Sequence, residues 1–316
     1  MSVSGQTPAS QSLEPMHRWL GAGGVRLAAD SWGDPDDPLV LLQHGGGQTR
    51  HAWKGTGKAL GSAGYYAVAL DARGHGDSDW DPHGVYSQDV MVEDLIQVIT
   101  ALEGRRPVLV GASMGGGTSL VAVGEDRVDA TALVLVDIAP RIAPEGVHKI
   151  QTFMNQSPDG FASLEDVADA VASYQPHRQR PLNLDGLAKN VRLGHDGRYH
   201  WHWDPRFRSG HRDMEQRQER LEACAKGLTL PTLLVRGGMS DVLTEQGAQD
   251  FLTLCAHAEY VNVPGAAHMV AGDRNDVFAT SVIDFLARTV PADGEPIQPP
   301  HEPRPRPWGD DIIDVP

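Results

Sequence analysis

A serine flanked by glycines, Gly111-Ala112-Ser113-Met114-Gly115, is the segment of this 316-residue chain best suited to chemistry. It follows the apolar residues 108–110 and precedes a run of small residues at 116–122. This is the strand, sharp turn and helix that a G-x-S-x-G motif requires if its serine is to stand exposed above a sheet. The glycines leave room for the turn and for a close helix–strand approach. The pattern predicts a nucleophilic serine at position 113.

A serine hydroxyl is a poor nucleophile at neutral pH, so the chain must also supply a base and an acid that orients the base. His268 is the candidate base, because it lies in a Gly/Ala-rich loop directly after a predicted strand at 259–263. Asp241 is one candidate acid, in a turn after a predicted strand at 232–236. Asp137 is another, at the end of a predicted strand at 132–136.

A glycine-rich loop, His44-Gly45-Gly46-Gly47, follows the predicted buried strand at 39–43. Backbone N–H groups in such a loop can point at an anion, and we expect those of Gly46 and Met114 to converge on the oxygen of a tetrahedral intermediate. His44 and His75 are interpreted as residues that tether this loop by hydrogen bonds, rather than as catalytic groups.

On these residues the chain resembles the α/β-hydrolase superfamily, and within it the esterases, lactonases and cofactor-free haloperoxidases. Segments similar to Asp71-Ala72-Arg73-Gly74-His75-Gly76-Asp77-Ser78 and to residues 268–276 recur in that branch. The resemblance covers residues 25–288 apart from a middle insert. It implies the chain order Ser, Asp, His. It favours Asp241 as the acid, through the 237–241 turn, and leaves Asp137 as the alternative because some members take their acid from that strand end.

Alternating strand and helix patterns predict an α/β fold, with a mostly parallel central sheet and helices on both faces. The predicted strands cover residues 25–31, 39–43, 66–70, 108–110, 132–136, 232–236 and 259–263. The predicted core helices cover residues 52–63, 88–102, 114–123, 245–254 and 276–288. The candidate catalytic residues all follow the carboxyl ends of strands, where such a sheet presents its ligand crevice.

The alternation breaks in the middle of the chain, which divides it into core and insert. We predict a flexible segment at 1–16, a hydrolase core at 17–140 and 229–290, and an inserted helical cap at 141–228 with helices at 164–174, 184–191 and 214–225. The Pro-rich residues 291–316 predict an extended tail. Trp308 could dock that tail on the domain, or the tail could be loose.

The predicted cap contains an aromatic stretch at 199–207, in which Trp201 and Trp203 stand out. These tryptophans could line a substrate pocket, or they could simply bury the cap on the core. His200 and His202 suggest a metal pair, but nothing nearby completes a ligand set, so no metal site is predicted.

Composition narrows the possible partners. A formal net charge of −15 argues against nucleic acid or an anionic membrane surface as partner. No apolar run is long enough to span a bilayer, and the first residues lack a signal-peptide pattern. The chain has two cysteines, which we expect to be reduced thiols. A cytoplasmic enzyme that needs no cofactor is therefore expected, with its oligomeric state undetermined.

The residues together predict a serine hydrolase that cleaves a small-molecule carboxylic ester or lactone through an acyl-enzyme. Cleavage of a C–C bond, or perhydrolysis giving haloperoxidase-like activity, would use the same triad and remains an alternative. Epoxide hydrolysis would need a carboxylate where this chain has Ser113. A non-catalytic ligand receptor on the same scaffold is the alternative from a different class.

Overall fold

The computed structural model describes residues 14–178, 180, 184–208 and 213–292. Most of the N-terminal segment expected at 1–16, and nearly all of the Pro-rich tail expected at 291–316 with Trp308, lie outside the described residues. The first part of the core contains β1 (His17–Leu20), β2 (Arg26–Trp32), β3 (Leu39–Gln43), α1 (Lys54–Ser62), β4 (Tyr66–Leu70), α2 (Gln88–Ala101), β5 (Val108–Ala112), α3 (Met114–Gly124) and β6 (Ala132–Val136).

The middle insert contains both helices and strands. Its elements are α4 (Pro144–Met154), α5 (Leu164–Tyr174), α6 (Asp185–Ala188), β7 (Val191–Leu193), β8 (Tyr199–Trp201) and α7 (Met214–Gly227). The chain then returns to the core with β9 (Thr232–Gly237), α8 (Glu245–Leu254), β10 (Glu259–Val263), α9 (Val270–Asp273) and α10 (Asn275–Thr289).

Eight of the described strands form one sheet, in the order β1-β2-β4-β3-β5-β6-β9-β10. At one edge β2 pairs antiparallel with both β1 and β4. The neighbours from β4 to β10 pair in parallel. Because parallel strands end at the same edge of a sheet, the residues that follow β3, β5, β6, β9 and β10 meet along one line. The mostly parallel sheet predicted from the sequence is therefore confirmed.

Helices cover both faces of the sheet, as predicted. Successive residues of an inner strand point to opposite faces: Leu41 packs in the cluster covered by α2, α3, α7 and α8, and Leu42 packs in the cluster covered by α1 and α10. Cys224 and Cys255 are buried free thiols. Among the described residues, no helix is both long and apolar enough to cross a membrane.

The insert differs from the expected helical cap, because it also contains a pair of strands. The helix predicted at 184–191 is the single turn α6, and Val191 already begins a strand that pairs antiparallel with β8. The hairpin follows from its turn, where Gly197 adopts a φ of 76° and the Gly194 N–H donates to the Arg198 carbonyl at 2.7 Å. Helix α4 was not predicted, although Pro144 at its start suits a first helical position.

A buried ion network lies beneath the loops that follow β3 and β4. The Arg50 side chain has no exposed surface, and its guanidinium contacts the carboxylates of Asp71 at 2.6 Å, Asp77 at 2.7 Å and Asp30 at 3.1 Å. The Ser78 hydroxyl donates to the Asp71 carbonyl at 2.7 Å. These contacts connect the segments around β2, β3 and β4 beside the glycine-rich loop.

Removing the cation of this network should destabilise the fold. We expect Arg50→Met to lower the free energy of unfolding by about 3–5 kcal/mol, because it leaves buried carboxylates without their partner. Arg26→Met is the control, since Arg26 pairs with Asp79 at 2.8 Å but its side chain is 62% exposed, and solvent-exposed ion pairs contribute little to stability. Urea denaturation measures both, and equal losses in the two variants would contradict the buried network's importance.

Candidate active site

Ser113 lies at the turn between β5 and α3, in a strained backbone conformation. Its φ of 46° and ψ of −106° are in a region that L-residues rarely adopt. A β-carbon on Gly111 would lie 2.5 Å from the Gly115 backbone, and one on Gly115 would lie 2.5 Å from the Gln43 carbonyl oxygen. Both flanking positions therefore require glycine, and the turn holds the partly exposed Ser113 at the edge of the sheet where the parallel strands end.

His268 lies in the loop between β10 and α9, and its imidazole is bonded to a carboxylate. His268 Nδ1 is 2.7 Å from Oδ2 of Asp137, the residue that follows β6. Asp137 has no exposed side-chain surface, whereas the His268 side chain is 12% exposed. The Ser113 N–H donates to the carbonyl of Val136 at 3.1 Å, so the turns that carry the serine and this aspartate are in contact.

The structure corrects the expected partner of the histidine. Asp241 does not contact His268; its side chain is 44% exposed and pairs with Lys149 Nζ of α4 at 2.7 Å. The two candidate aspartates follow β6 and β9, which are neighbours in the sheet, so both reach the same edge. The alternative strand end, with Asp137, is the one that faces the imidazole.

Three donors surround the Asp137 carboxylate. Its Oδ1 accepts the Gly237 N–H at 2.9 Å, and its Oδ2 accepts the Ser240 hydroxyl together with His268 Nδ1. An ionised carboxylate acts only as an acceptor of hydrogen bonds. Nδ1 of His268 must then carry the proton, and Nε2 is left as the basic nitrogen of the ring.

The glycine-rich loop after β3 lies against the serine. A β-carbon on Gly45 would be 3.4 Å from the Ser113 β-carbon. The Gly45 N–H donates to Gln48 Oε1 at 2.9 Å, and the Gly47 N–H donates to His75 Nε2 at 3.1 Å. Within the described residues, no acceptor meets the N–H groups of Gly46 and Met114, which are the two donors predicted from the sequence.

His44 and His75 tether this loop, as predicted. Nε2 of His44 accepts the Ala72 N–H at 3.0 Å, so Nδ1 is the donor to the Gly45 carbonyl at 2.8 Å. Burial lowers the pKa of His44, which favours this neutral tautomer. His75 Nδ1 lies 3.1 Å from the Arg73 carbonyl. Both imidazoles therefore form hydrogen bonds with backbone groups.

Apolar side chains of the middle insert at 141–228, for which we keep the name cap, cover the glycine-rich loop. The ring of Phe207 lies 3.5 Å from the place that a β-carbon would take on Gly46. Met154 Cε and Trp203 Nε1 lie 3.2 and 3.6 Å from the corresponding place on Gly47. These three cap residues belong to one buried cluster, against which Met114 also packs. We call Met154, Trp203 and Phe207 the cap roof.

The two predicted substrate-binding residues differ in what they contact. Trp203 belongs to the cap roof, whereas Trp201 packs against the edge of the same cluster. The Trp201 ring centroid lies 5.3 Å from those of both Phe153 and Phe161, so it joins the roof to the rest of the cap. The aromatic pattern does not predict a separate role for Phe207, although this residue ends the aromatic stretch at 199–207 that contains both tryptophans. Met154 had no sequence signal, because the helix that carries it was not predicted.

The two cap histidines do not converge on a common site. His200 Nε2 pairs with Asp196 at 2.9 Å, and His202 Nδ1 lies 3.2 Å from the Lys189 carbonyl. Burial, helped by Arg192, lowers the pKa of His202 to about 4. In the part of the chain that the structure describes, no group of three or more His, Cys, Asp or Glu side chains is arranged to hold a metal ion.

Comparison with known proteins matches this chain to a hydrolase family and to individual hydrolases and esterases. The sequence model of the family described as Hydrolase_4, serine aminopeptidase S33, matches residues 34–275. The 3-hydroxybutyrate-oligomer hydrolase of Cupriavidus necator is 29% identical over 289 residues, which is 85% of this chain and 93% of the relative. Esterase Rv0045c of Mycobacterium tuberculosis is 31% identical over 256 residues, covering 78% of this chain and 82% of the esterase.

A solved structure shares the fold over most of its length. The crystal structure of E-2-(acetamidomethylene)succinate hydrolase superposes with a TM-score of 0.73 at 22% sequence identity. The match covers 85% of this chain and 98% of that one.

Proposed function

Because this chain belongs to the Hydrolase_4 family of α/β-hydrolases and is similar to proteins that are named a hydrolase and an esterase, we propose that it cleaves a carboxylic ester or lactone through an acyl-enzyme on Ser113. His268 is the general base and Asp137 is the acid that orients it. The observation that carries the proposal is the 2.7 Å contact between His268 Nδ1 and the buried Asp137 carboxylate, next to the strained turn that carries Ser113.

The proposed reaction follows from the positions of the protons. His268 Nε2 takes the proton of the Ser113 hydroxyl as Oγ attacks the substrate carbonyl, and the Asp137 charge stabilises the imidazolium that forms. The N–H groups of Gly46 and Met114 donate to the oxyanion of the tetrahedral intermediate. The imidazolium then protonates the leaving alcohol, and His268 activates a water molecule that hydrolyses the acyl-enzyme.

The surroundings of these groups support a small to medium, largely apolar substrate. The cap roof presents a thioether and two aromatic rings above the glycine-rich loop. Surfaces of this kind bind apolar groups through the hydrophobic effect. The Cupriavidus relative is named for an oligomer of a short hydroxy acid, and its likeness to this chain adds support for short aliphatic acyl groups.

Two measurements on the wild-type protein test the proposal. The first is the rate of hydrolysis of p-nitrophenyl esters of increasing chain length, of aromatic esters and of lactones. The second is labelling with a fluorophosphonate, followed by mass spectrometry of the peptides. We expect turnover of short esters or lactones and a single phosphonylated residue, Ser113.

The outcomes separate the parts of the proposal. Turnover with the phosphonate on another residue would overturn the role of Ser113. A labelled Ser113 without hydrolysis of any ester or lactone would overturn the substrate class, and it would favour C–C bond cleavage on the same triad. Saturable ligand binding with neither labelling nor turnover would favour the receptor alternative.

The cap roof should set the size of the acyl group. We expect Phe207→Ala to raise kcat/KM for medium-chain relative to short-chain esters by about tenfold, because it removes a ring that limits space above Gly46. Phe161→Ala is the matched control, since Phe161 is 5% exposed and Phe207 is 6% exposed, but Phe161 packs in a separate cap cluster. A chain-length profile that changes equally in both variants would contradict this role of Phe207.

A further inference from the structure

Ser240 lies in the turn after β9, directly before the exposed Asp241, and its side chain points the other way. It is 9% exposed, and its hydroxyl donates to Asp137 Oδ2, the same oxygen that accepts His268 Nδ1. The sequence resemblance favours an acid after β9. The turn after β9 instead supplies a hydrogen-bond donor, Ser240, to Asp137 after the neighbouring strand β6.

The direction of this hydrogen bond is determined by the other contacts of Ser240. Its Oγ also accepts the backbone N–H groups of Val242 and Leu243, each at 3.2 Å. A serine hydroxyl has two acceptor lone pairs and one proton. With both lone pairs occupied, the proton is available only to the Asp137 carboxylate.

The backbone of the same turn also contributes to the carboxylate. The Gly237 N–H holds Asp137 Oδ1 at 2.9 Å, and a β-carbon on Gly237 would lie 2.2 Å from the Ala267 carbonyl oxygen, next to His268. The turn after β9 thus packs against both the aspartate and the histidine loop. Of its side chains, that of Ser240 is the one that reaches the pair.

We propose that Ser240 is a positioning residue of the catalytic site, whose hydroxyl fixes the rotamer and the ionised form of the Asp137 carboxylate that His268 requires. The inference rests on the proposed function, in which Asp137 orients His268. Without this donor, Oδ2 would keep a single hydrogen bond, from His268, and the carboxylate would be free to rotate about Oδ1.

The other ionisable groups near this pair have partners or stay neutral. Asp241 is paired with Lys149, and Asp273 at the end of α9 contacts the cap side chains His177 and Arg178. Burial raises the pKa of Tyr174 to about 12, so this phenol is neutral at ordinary pH. A change at Ser240 should therefore act on His268 through Asp137.

The experiment compares Ser240→Ala with Ser240→Thr, which keeps the hydroxyl. We expect the alanine variant to lose about tenfold in kcat/KM, because a hydrogen bond to a charged group is lost. A carboxylate with one donor fewer attracts the imidazolium more strongly, so the acidic limb of the pH profile of kcat/KM should move to higher pH. The threonine variant should restore both the rate and the pH profile.

A control separates this effect from general loosening of the segment. Thr244 caps α8 through a hydrogen bond from the Gly247 N–H at 3.0 Å and does not contact Asp137. Thr244→Ala should lower the free energy of unfolding by about as much as loss of a helix cap usually does, without moving the pH profile. A Ser240→Ala acidic limb that stays in place or moves to lower pH would overturn the proposal.

An NMR titration of His268 decides the inference without a substrate. The imidazole signals are assigned by their loss in His268→Gln, and their pKa is then compared between the wild type and Ser240→Ala. A raised pKa in the alanine variant supports the positioning role, and an unchanged pKa overturns it. If the wild type hydrolyses no ester or lactone, the proposed function fails while this titration still tests Ser240.

Discussion

Ester hydrolysis by Ser113→Ala is expected to fall by about 10⁶-fold in kcat, the loss typical of removing a serine nucleophile from a triad. The alanine side chain cannot form the acyl-enzyme, so His268 has no hydroxyl to deprotonate. The variant should still hydrolyse the ester about 10³–10⁴ times faster than the uncatalysed reaction in water, because oxyanion donors and substrate binding act without the nucleophile. Steady-state kinetics on the best ester of the panel, at enzyme concentrations high enough to see slow turnover, measure the loss.

Ser281→Ala is the matched control for this prediction. Ser281 lies on α10, where its hydroxyl donates to the Val277 carbonyl at 2.8 Å. It lies outside the proposed machinery, so its kcat should stay within about twofold of the wild type. A Ser113→Ala protein that keeps a substantial part of the activity, and loses it to the same phosphonate, would show that another residue is the nucleophile.

Asp137→Asn is expected to lower kcat by about 10⁴-fold, as the equivalent change does in a serine protease. The amide keeps the size of the side chain but removes the negative charge next to His268 Nδ1, 2.7 Å away. It can also present its NH₂ group to the ring, which favours the tautomer with the proton on Nε2 and abolishes the base. Binding of substrate should change little, so the loss should lie in kcat rather than in KM.

Asp241→Asn is the decisive comparison, because it makes the same chemical change at the other strand end. It breaks an exposed ion pair with Lys149, in which the two side chains are 44% and 51% exposed, and it should change kcat by no more than about twofold. The opposite result, with most activity lost in Asp241→Asn and little in Asp137→Asn, would restore the acid favoured by the sequence resemblance.

Local pattern predicted the elements of the core closely. The strands at 39–43, 66–70, 132–136 and 259–263 and the helix at 245–254 have the predicted bounds. Their apolar runs and alternations depend on the few residues within each element, so the signal is contained in the segment itself. The short antiparallel β1 and the cap hairpin were not predicted, because strands of three or four residues carry too little pattern to be recognised as strands.

The choice of acid illustrates a different limit. β6 and β9 are hydrogen-bonded neighbours, so Asp137 and Asp241 both follow strands that end at the same edge. Ser240 and Asp241 are adjacent in the turn after β9, and their side chains point in opposite directions. Ser240 points inward to Asp137, and Asp241 points outward to Lys149. No spacing rule separates the two aspartates, because the direction of a side chain in a turn depends on the contacts of the whole turn.

Residue patterns alone predicted the sheet, the Ser113 turn, the loop that carries His268 and the glycine-rich loop at 44–47, in which the Gly46 N–H has no acceptor among the described residues. Each depends on residues close together in the chain, where backbone sterics and hydrophobic periodicity act directly. Three contacts are visible only in the folded chain: Asp137 faces His268, Ser240 donates to Asp137, and Phe207 covers Gly46. These contacts join segments far apart in the chain, so they form only when the sheet edge and the cap have packed together.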